Sequence, residues 1–202
     1  MMGKAHMGVG VAAALALLRP TTPVACAAVV MGASLGSVVC DVDVRPNERA
    51  KDAFRWRMVA LVLACALLAY DYLHAGPVCA YLKGHVAREV ASGIVGMVAT
   101  TVLAALTSHR TFSHSLVALA LWGESMKLLC EPLAVPFVVG IASHVLLDLT
   151  NKKGIRLFWP LRNDFSLGLW KADGLANDLF ALVGMVASVV LLAFFATGRH
   201  GL

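Results

Sequence analysis

Apolar and polar positions segregate along this chain into long blocks. Apolar runs occupy 7–18, 24–39, 58–74, 93–107, 115–130, 133–149 and 177–197, with short polar connections between them. Several fall short of the about 20 residues a helix needs to cross the hydrocarbon core of a bilayer. The pattern therefore predicts an all-α integral membrane bundle of five to seven apolar helices. Between the first two runs, Arg19-Pro-Thr-Thr-Pro23 stops one helix and can start the next, which predicts a helical hairpin. The stretch from Leu157 to Trp170 is too broken by proline and glycine to span, and its aromatics beside Arg162 and Asp164 suit the headgroup region. With no internal repeat or low-complexity tract, residues 1–202 read as one membrane-embedded domain.

Composition agrees with this pattern. A chain that is 59% hydrophobic and 14% charged, with a mean hydropathy of +0.78, cannot cover a soluble surface with polar groups. In a soluble domain the net charge of +5 would suggest a nucleic-acid partner. Here the basic residues lie in connections between apolar runs and read as topology signals, so no nucleic acid is expected. Arg45, Arg49, Lys51, Arg55 and Arg57 follow the second run, and Lys152, Lys153, Arg156, Arg162 and Lys171 precede the last, which makes both connections cytoplasmic. Alternation then puts residues near 75–92 and 124–133 outside and the 108–113 turn inside. Lys83, His85 and Arg88 run against the charge bias, but the two inner loops outweigh them. The five cysteines lack CxxC spacing and behave as small hydrophobes. The N-terminal segment has features of a signal peptide, but cleavage would discard His6, so it is read as retained.

Four polar islands interrupt the apolar blocks: His6, Asp41-Val-Asp43, His109-Arg-Thr-Phe-Ser-His114 and His144-Val-Leu-Leu-Asp148. Ionisable groups in membrane segments are costly, and imidazole with carboxylate is a donor set for a divalent cation. The threading places all seven of these residues at the cytoplasmic ends of their helices. His144 and Asp148 are four apart and stack on one helical face, as metal ligands or as a buried His–Asp hydrogen bond. His109 and His114 would diverge by about 140° on a continuous helix. An N-cap at Thr111 or Ser113 would place His109 in the preceding turn and His114 in the first helical turn, facing one cavity. Arg110 suits a phosphate or carboxylate oxygen, or anchors the inner leaflet. For Asp41 and Asp43 the bland account is a solvated helix end with Arg45 as partner. His74, His85 and His200 fall on the other side and are left out.

In order and wording these islands resemble the YdjM-like family of inner-membrane proteins, described as membrane-bound metal-dependent hydrolases. The family pattern is an N-terminal histidine, a Pro-Asp-Ile-Asp-His box, a His-Arg-Gly-x-Thr-His-Ser box, and a Ser-His-x-x-x-Asp box leading to glycine and Trp-Pro. This chain has KAHMGVG at 4–10, CDVDV at 40–44, HRTFSHS at 109–115 and SHVLLDLTNKKGIRLFWP at 143–160. Cys40, Val44, Thr111 and Ser113 depart from it, Val44 removing one potential ligand and Ser113 keeping the hydroxyl. The resemblance implies a multi-pass inner-membrane protein with His6, Asp41, Asp43, His109, His114, His144 and Asp148 as ligands or near-ligands. It also implies Arg110 as the substrate contact.

The expected function is hydrolysis assisted by one or two divalent ions, with Asp41, Asp43 and Arg110 as catalytic candidates. The imidazoles favour zinc, and the carboxylates also suit manganese or iron. The expected partners are membrane lipids and a lipid-like anionic substrate carrying a phosphate or ester. The competing expectation is a non-catalytic protein that binds a metal or lipid, or a polar layer that only joins helices.

Overall fold

The computed structural model describes residues 2–44, 48–85, 87–171 and 174–197. It is an all-α bundle with seven helices among the described residues: α1 (Gly3–Leu18), α2 (Pro23–Val39), α3 (Glu48–Leu73), α4 (Pro77–Gly84), α5 (Ala87–Leu106), α6 (Leu116–Leu149) and α7 (Leu175–Ala196). Five candidate spans, Pro23–Asp43, Ala50–Leu73, Ala87–Leu106, Leu116–Leu149 and Leu175–Ala196, are long and apolar enough to cross a membrane. The segment after α6 forms turns and isolated bridges, Asn151 with Trp170 and Ile155 with Phe165, and does not span.

The predicted first hairpin is present. Arg19 takes a left-handed φ of 45° and its N–H donates to the Leu15 carbonyl, closing α1. Thr22 then caps α2 by accepting from the Ala25 N–H at 3.1 Å, with Pro23 in the first turn. The N-terminus of α1 and the C-terminus of α2 thus share one end of the bundle.

α6 carries the two apolar runs 115–130 and 133–149 as two arms. A straight helix would separate His144 from the start of α6 by about 42 Å. Instead the His114 and His144 rings meet at 3.2 Å. The reversal is at Cys130, whose φ of −162° and ψ of 91° leave the helix. Pro132 follows, where a first helical turn tolerates its missing N–H.

Two departures from the expected elements have local causes. Lys51, Arg55 and Arg57, read as part of a connection, lie on α3, which begins at Glu48. The 75–92 segment contains the short helix α4, started by Pro77.

Burial divides the helices into two groups. In α2, 72% of the apolar window is buried, against 17% in each of α3, α5 and α7. The outer three present bare Val62, Val95, Val98, Leu182 and Val189 to the bilayer. α2 and the second arm of α6 approach backbone to backbone through Gly32, Gly36 and Gly140, the small-residue packing common between membrane helices. A Cβ at Gly36 would run into the Phe137 carbonyl, and one at Gly140 would sit 2.9 Å from the Ser37 nitrogen. This close approach sets the depth at which His144 meets α2.

Candidate metal centre

Each island is delivered to the same end of the bundle by a different device. His6 lies in the first turns of α1. The first amides of that terminus are held from two other helices: Met2 N–H donates to Asn177 Oδ1 at 2.9 Å, and Gly3 N–H donates to Asp52 Oδ2 at 2.9 Å. Lys4 pairs with Asp178 at 2.6 Å. Asp41 and Asp43 sit in a 3₁₀ turn, Cys40–Asp43, that continues α2. His114 ends a second 3₁₀ turn, Phe112–His114, after α5. His144 and Asp148 share one face of the second arm of α6, as their spacing requires.

The expected cap is corrected by the structure. α6 is capped by Ser115, whose hydroxyl accepts from the Ala118 N–H at 3.1 Å. Thr111 and Ser113 do not cap α6. Thr111 turns its hydroxyl to the Ser108 carbonyl, and Ser113 lies inside the 3₁₀ turn. His114 therefore precedes the helix instead of lying in its first turn. The chain reverses at Arg110, whose φ of 68° is left-handed, and His109 and His114 end edge to face with centroids 5.3 Å apart.

The hydrogen bonds decide which imidazole nitrogens carry protons. His144 Nδ1 lies 2.7 Å from the Ser37 carbonyl oxygen, which can only accept, so Nδ1–H donates and Nε2 keeps its lone pair. Ser113 Oγ donates to Asp43 Oδ2, leaving its oxygen to accept from His114 Nδ1–H at 2.7 Å. With Nδ1 committed to Ser113, His114 turns Nε2 toward His144. The two Nε2 atoms face each other across 3.2 Å. Asp148 Oδ2 is 3.3 Å from His114 Nε2, and Asp41 Oδ1 is 3.7 Å from His144 Nε2.

His6 stacks on His144 with centroids 3.6 Å apart, and its Nε2 is 3.6 Å from Asp148 Oδ1. Neither of its ring nitrogens has a hydrogen-bond partner among the described residues, although the ring is fully buried. Unsatisfied buried polar groups cost about 1–3 kcal/mol each. The Arg110 guanidinium reaches Asp148 Oδ2 at 3.2 Å through Nη2, while its buried Nη1 has no partner among the described residues.

Imidazole nitrogens and carboxylate oxygens thus converge on one buried gap, with the Arg110 guanidinium beside it. The donor spacing suits a metal. A four-coordinate ion with bonds of about 2.0–2.1 Å holds its ligand atoms about 3.3–3.4 Å apart. The separations of 3.2, 3.3, 3.6 and 3.7 Å bracket that value. Three sets of residues could hold an ion: His6, His144 and Asp148; Asp41, His114 and His144; and Asp43, His109 and His114.

Six of the seven proposed ligands are buried, and His109 is the half-buried exception. It is tied to Asp43, with Nδ1 donating to Oδ1 at 2.6 Å. The bland account of the aspartates as a solvated helix end does not hold, since both are buried. Arg45 and His200 lie outside the described residues, and His74 and His85 sit at the α3–α4 end, away from the cluster. Sequence reasoning did not single out the Ser37 carbonyl, Asp52 or Asn177. A backbone acceptor leaves no trace in residue identity, and Asp52 lies in a charged stretch that reads as topology. The kept hydroxyl at Ser113 was the one available signal for the link to His114.

Comparison with known proteins places this geometry in context. The uncharacterised protein YvsG of Bacillus subtilis (strain 168) is 28% identical over 86 residues, which is 42% of this chain and 54% of that protein. The match thus spans about half of that relative's length. No solved structure matches the chain at a significant level. The family of YdjM inner membrane proteins matches residues 1–200, through all four islands and every helix, and this inner-membrane chain belongs to that family.

Proposed function

We propose that the protein is a metal-dependent hydrolase working at the cytoplasmic membrane interface on a lipid or lipid-linked phosphate or ester. The observation that carries this reading is the meeting of His114 Nε2, His144 Nε2 and Asp148 at one buried gap, at separations a metal's ligands would have. When bound, a divalent cation supplies Lewis acidity to a substrate oxygen and makes a nearby water more acidic. Imidazole ligands favour zinc, and the carboxylates keep manganese and iron in the set.

The chain's own groups supply the rest. Asp41, with an oxygen 3.7 Å from His144 Nε2, borders the gap and can take the proton of an attacking water. Arg110 is held by one nitrogen on Asp148 and offers Nη1 to a phosphate oxygen, a forked geometry suited to oxyanions. A groove of about 370 Å³ lined by Met7, Gly8, Val11, Trp56, Met185 and Val189 begins one residue past His6 and suits an acyl chain. Lys152, Lys153 and Arg156 on the adjoining loop suit an anionic leaflet surface.

The test is metal analysis of the purified protein beside His144→Ala, with hydrolysis of a panel of phospholipids and lipid phosphates. Wild type carrying near-stoichiometric metal and hydrolysing a panel member, with both properties lost in the variant, is the expected result. Wild type without stoichiometric metal under replete conditions would overturn the reading. If His144→Ala instead unfolds while metal-free wild type is stable, the layer joins helices and nothing more.

A further inference from the structure

The three candidate sets overlap, and the overlap bears on how many ions the layer takes. His144 belongs to two sets and His114 to two. A ring nitrogen has one in-plane lone pair and binds one ion. His144 Nδ1 is committed as a donor to the Ser37 carbonyl, so only Nε2 remains. His6–His144–Asp148 and Asp41–His114–His144 therefore compete for one nitrogen and cannot both be filled with His144 as ligand.

The third set is closed for a different reason. Asp43 already answers three donors: His109 Nδ1 on Oδ1, and Ser113 Oγ and the Arg110 N–H on Oδ2. His114 Nδ1 faces the same Ser113 hydroxyl, which turns its Nε2 to the central gap beside Asp148. A second ion at Asp43 and His109 would have to break this frame.

We propose that the layer seats one divalent ion, drawn from His6, Asp41, His114, His144 and Asp148, and that Asp43, Ser113 and His109 form an outer frame that orients His114 without binding the ion. This inference rests on the metal-centre reading above. Ser113 is the positioning residue: its hydroxyl passes the hold of Asp43 to the His114 ring and keeps Nε2 aimed at the gap. Partners of this kind typically change metal affinity by about 10- to 100-fold when removed.

The experiment is titration of the metal-stripped full-length protein in detergent with Zn²⁺, and with Co²⁺ read by its ligand-field absorption. Wild type, His109→Gln, Ser113→Ala and Ser113→Thr are compared, with thermal unfolding as the control for folding. Wild type should saturate at one equivalent, and His109→Gln should still do so. Ser113→Ala should bind one equivalent about tenfold or more weakly, with Ser113→Thr restoring the affinity. Two equivalents in wild type overturn the single-ion assignment, and loss of the ion in folded His109→Gln overturns the outer place of His109, while the hydrolase reading stands in both cases. Equal affinity in Ser113→Ala and wild type overturns the positioning role. No binding by wild type removes both the inference and the function it rests on.

Discussion

Two aspartates at opposite ends of this bundle are buried to the same degree, Asp71 at 0% exposure and Asp148 at 1%. Asp71, near the end of α3, accepts from the Val78 N–H at 3.3 Å and the Cys79 N–H at 2.8 Å. Those amides open α4, so the carboxylate answers donors that have no partner within the helix and the positive end of a helix dipole. Asp148 lies instead among imidazole nitrogens, 3.3 Å from His114 Nε2 and 3.6 Å from His6 Nε2, with Arg110 at 3.2 Å. The difference shows that burial of an acid in a membrane bundle does not mark a site. What sets the second pole apart is that its carboxylate lies among imidazole nitrogens instead of backbone amides.

That contrast can be broken most directly at the metal pole. His144→Ala should weaken Zn²⁺ binding by about 100-fold or more, beyond the usual effect of losing a supporting partner, and stripping metal from wild type should lower its unfolding temperature. If the stripped protein melts with the loaded one, the imidazole pole only joins helices and the two poles are alike. Next in size, Arg110→Lys should lower kcat/KM on an anionic lipid by about tenfold with metal content unchanged, since an ammonium cannot serve Asp148 and a substrate oxygen as a fork does. An unchanged kcat/KM would leave Arg110 as a structural partner of Asp148.

At the other pole, Asp71→Ala should cost about 1–2 kcal/mol of stability, as loss of a helix cap does, with the metal equivalent retained. Metal loss in a folded Asp71→Ala protein would mean that the poles are coupled. The smallest effect is expected from Asp52→Asn, which keeps an acceptor for the Gly3 N–H but removes its charge, a change of about 1 kcal/mol or less. It should loosen His6 and weaken metal binding a few-fold, read by the same titration.

Much of this arrangement was legible in residue order. The two prolines around Thr21 and Thr22 marked the first hairpin, and the break between the runs ending at 130 and starting at 133 marked the reversal within α6. Charge in the connections put the islands at one end before any distance was known. What could not be read was how neighbours share atoms. The cap fell on Ser115 because Ser113 and Thr111 were already engaged by Asp43 and the Ser108 carbonyl. His109 turned toward Asp43 while His114, His144 and Asp148 met at the gap.

The sequence by itself therefore determined the membrane-spanning blocks, their alternation and the gathering of histidine and aspartate at one pole, because hydropathy, prolines and loop charge act locally. Only the tertiary structure decided which ring nitrogens of His114 and His144 face the gap. That depends on the Ser37 carbonyl reaching His144 across a glycine-lined contact and on Ser113 linking Asp43 to His114. Both are long-range contacts set by how closely two backbones approach.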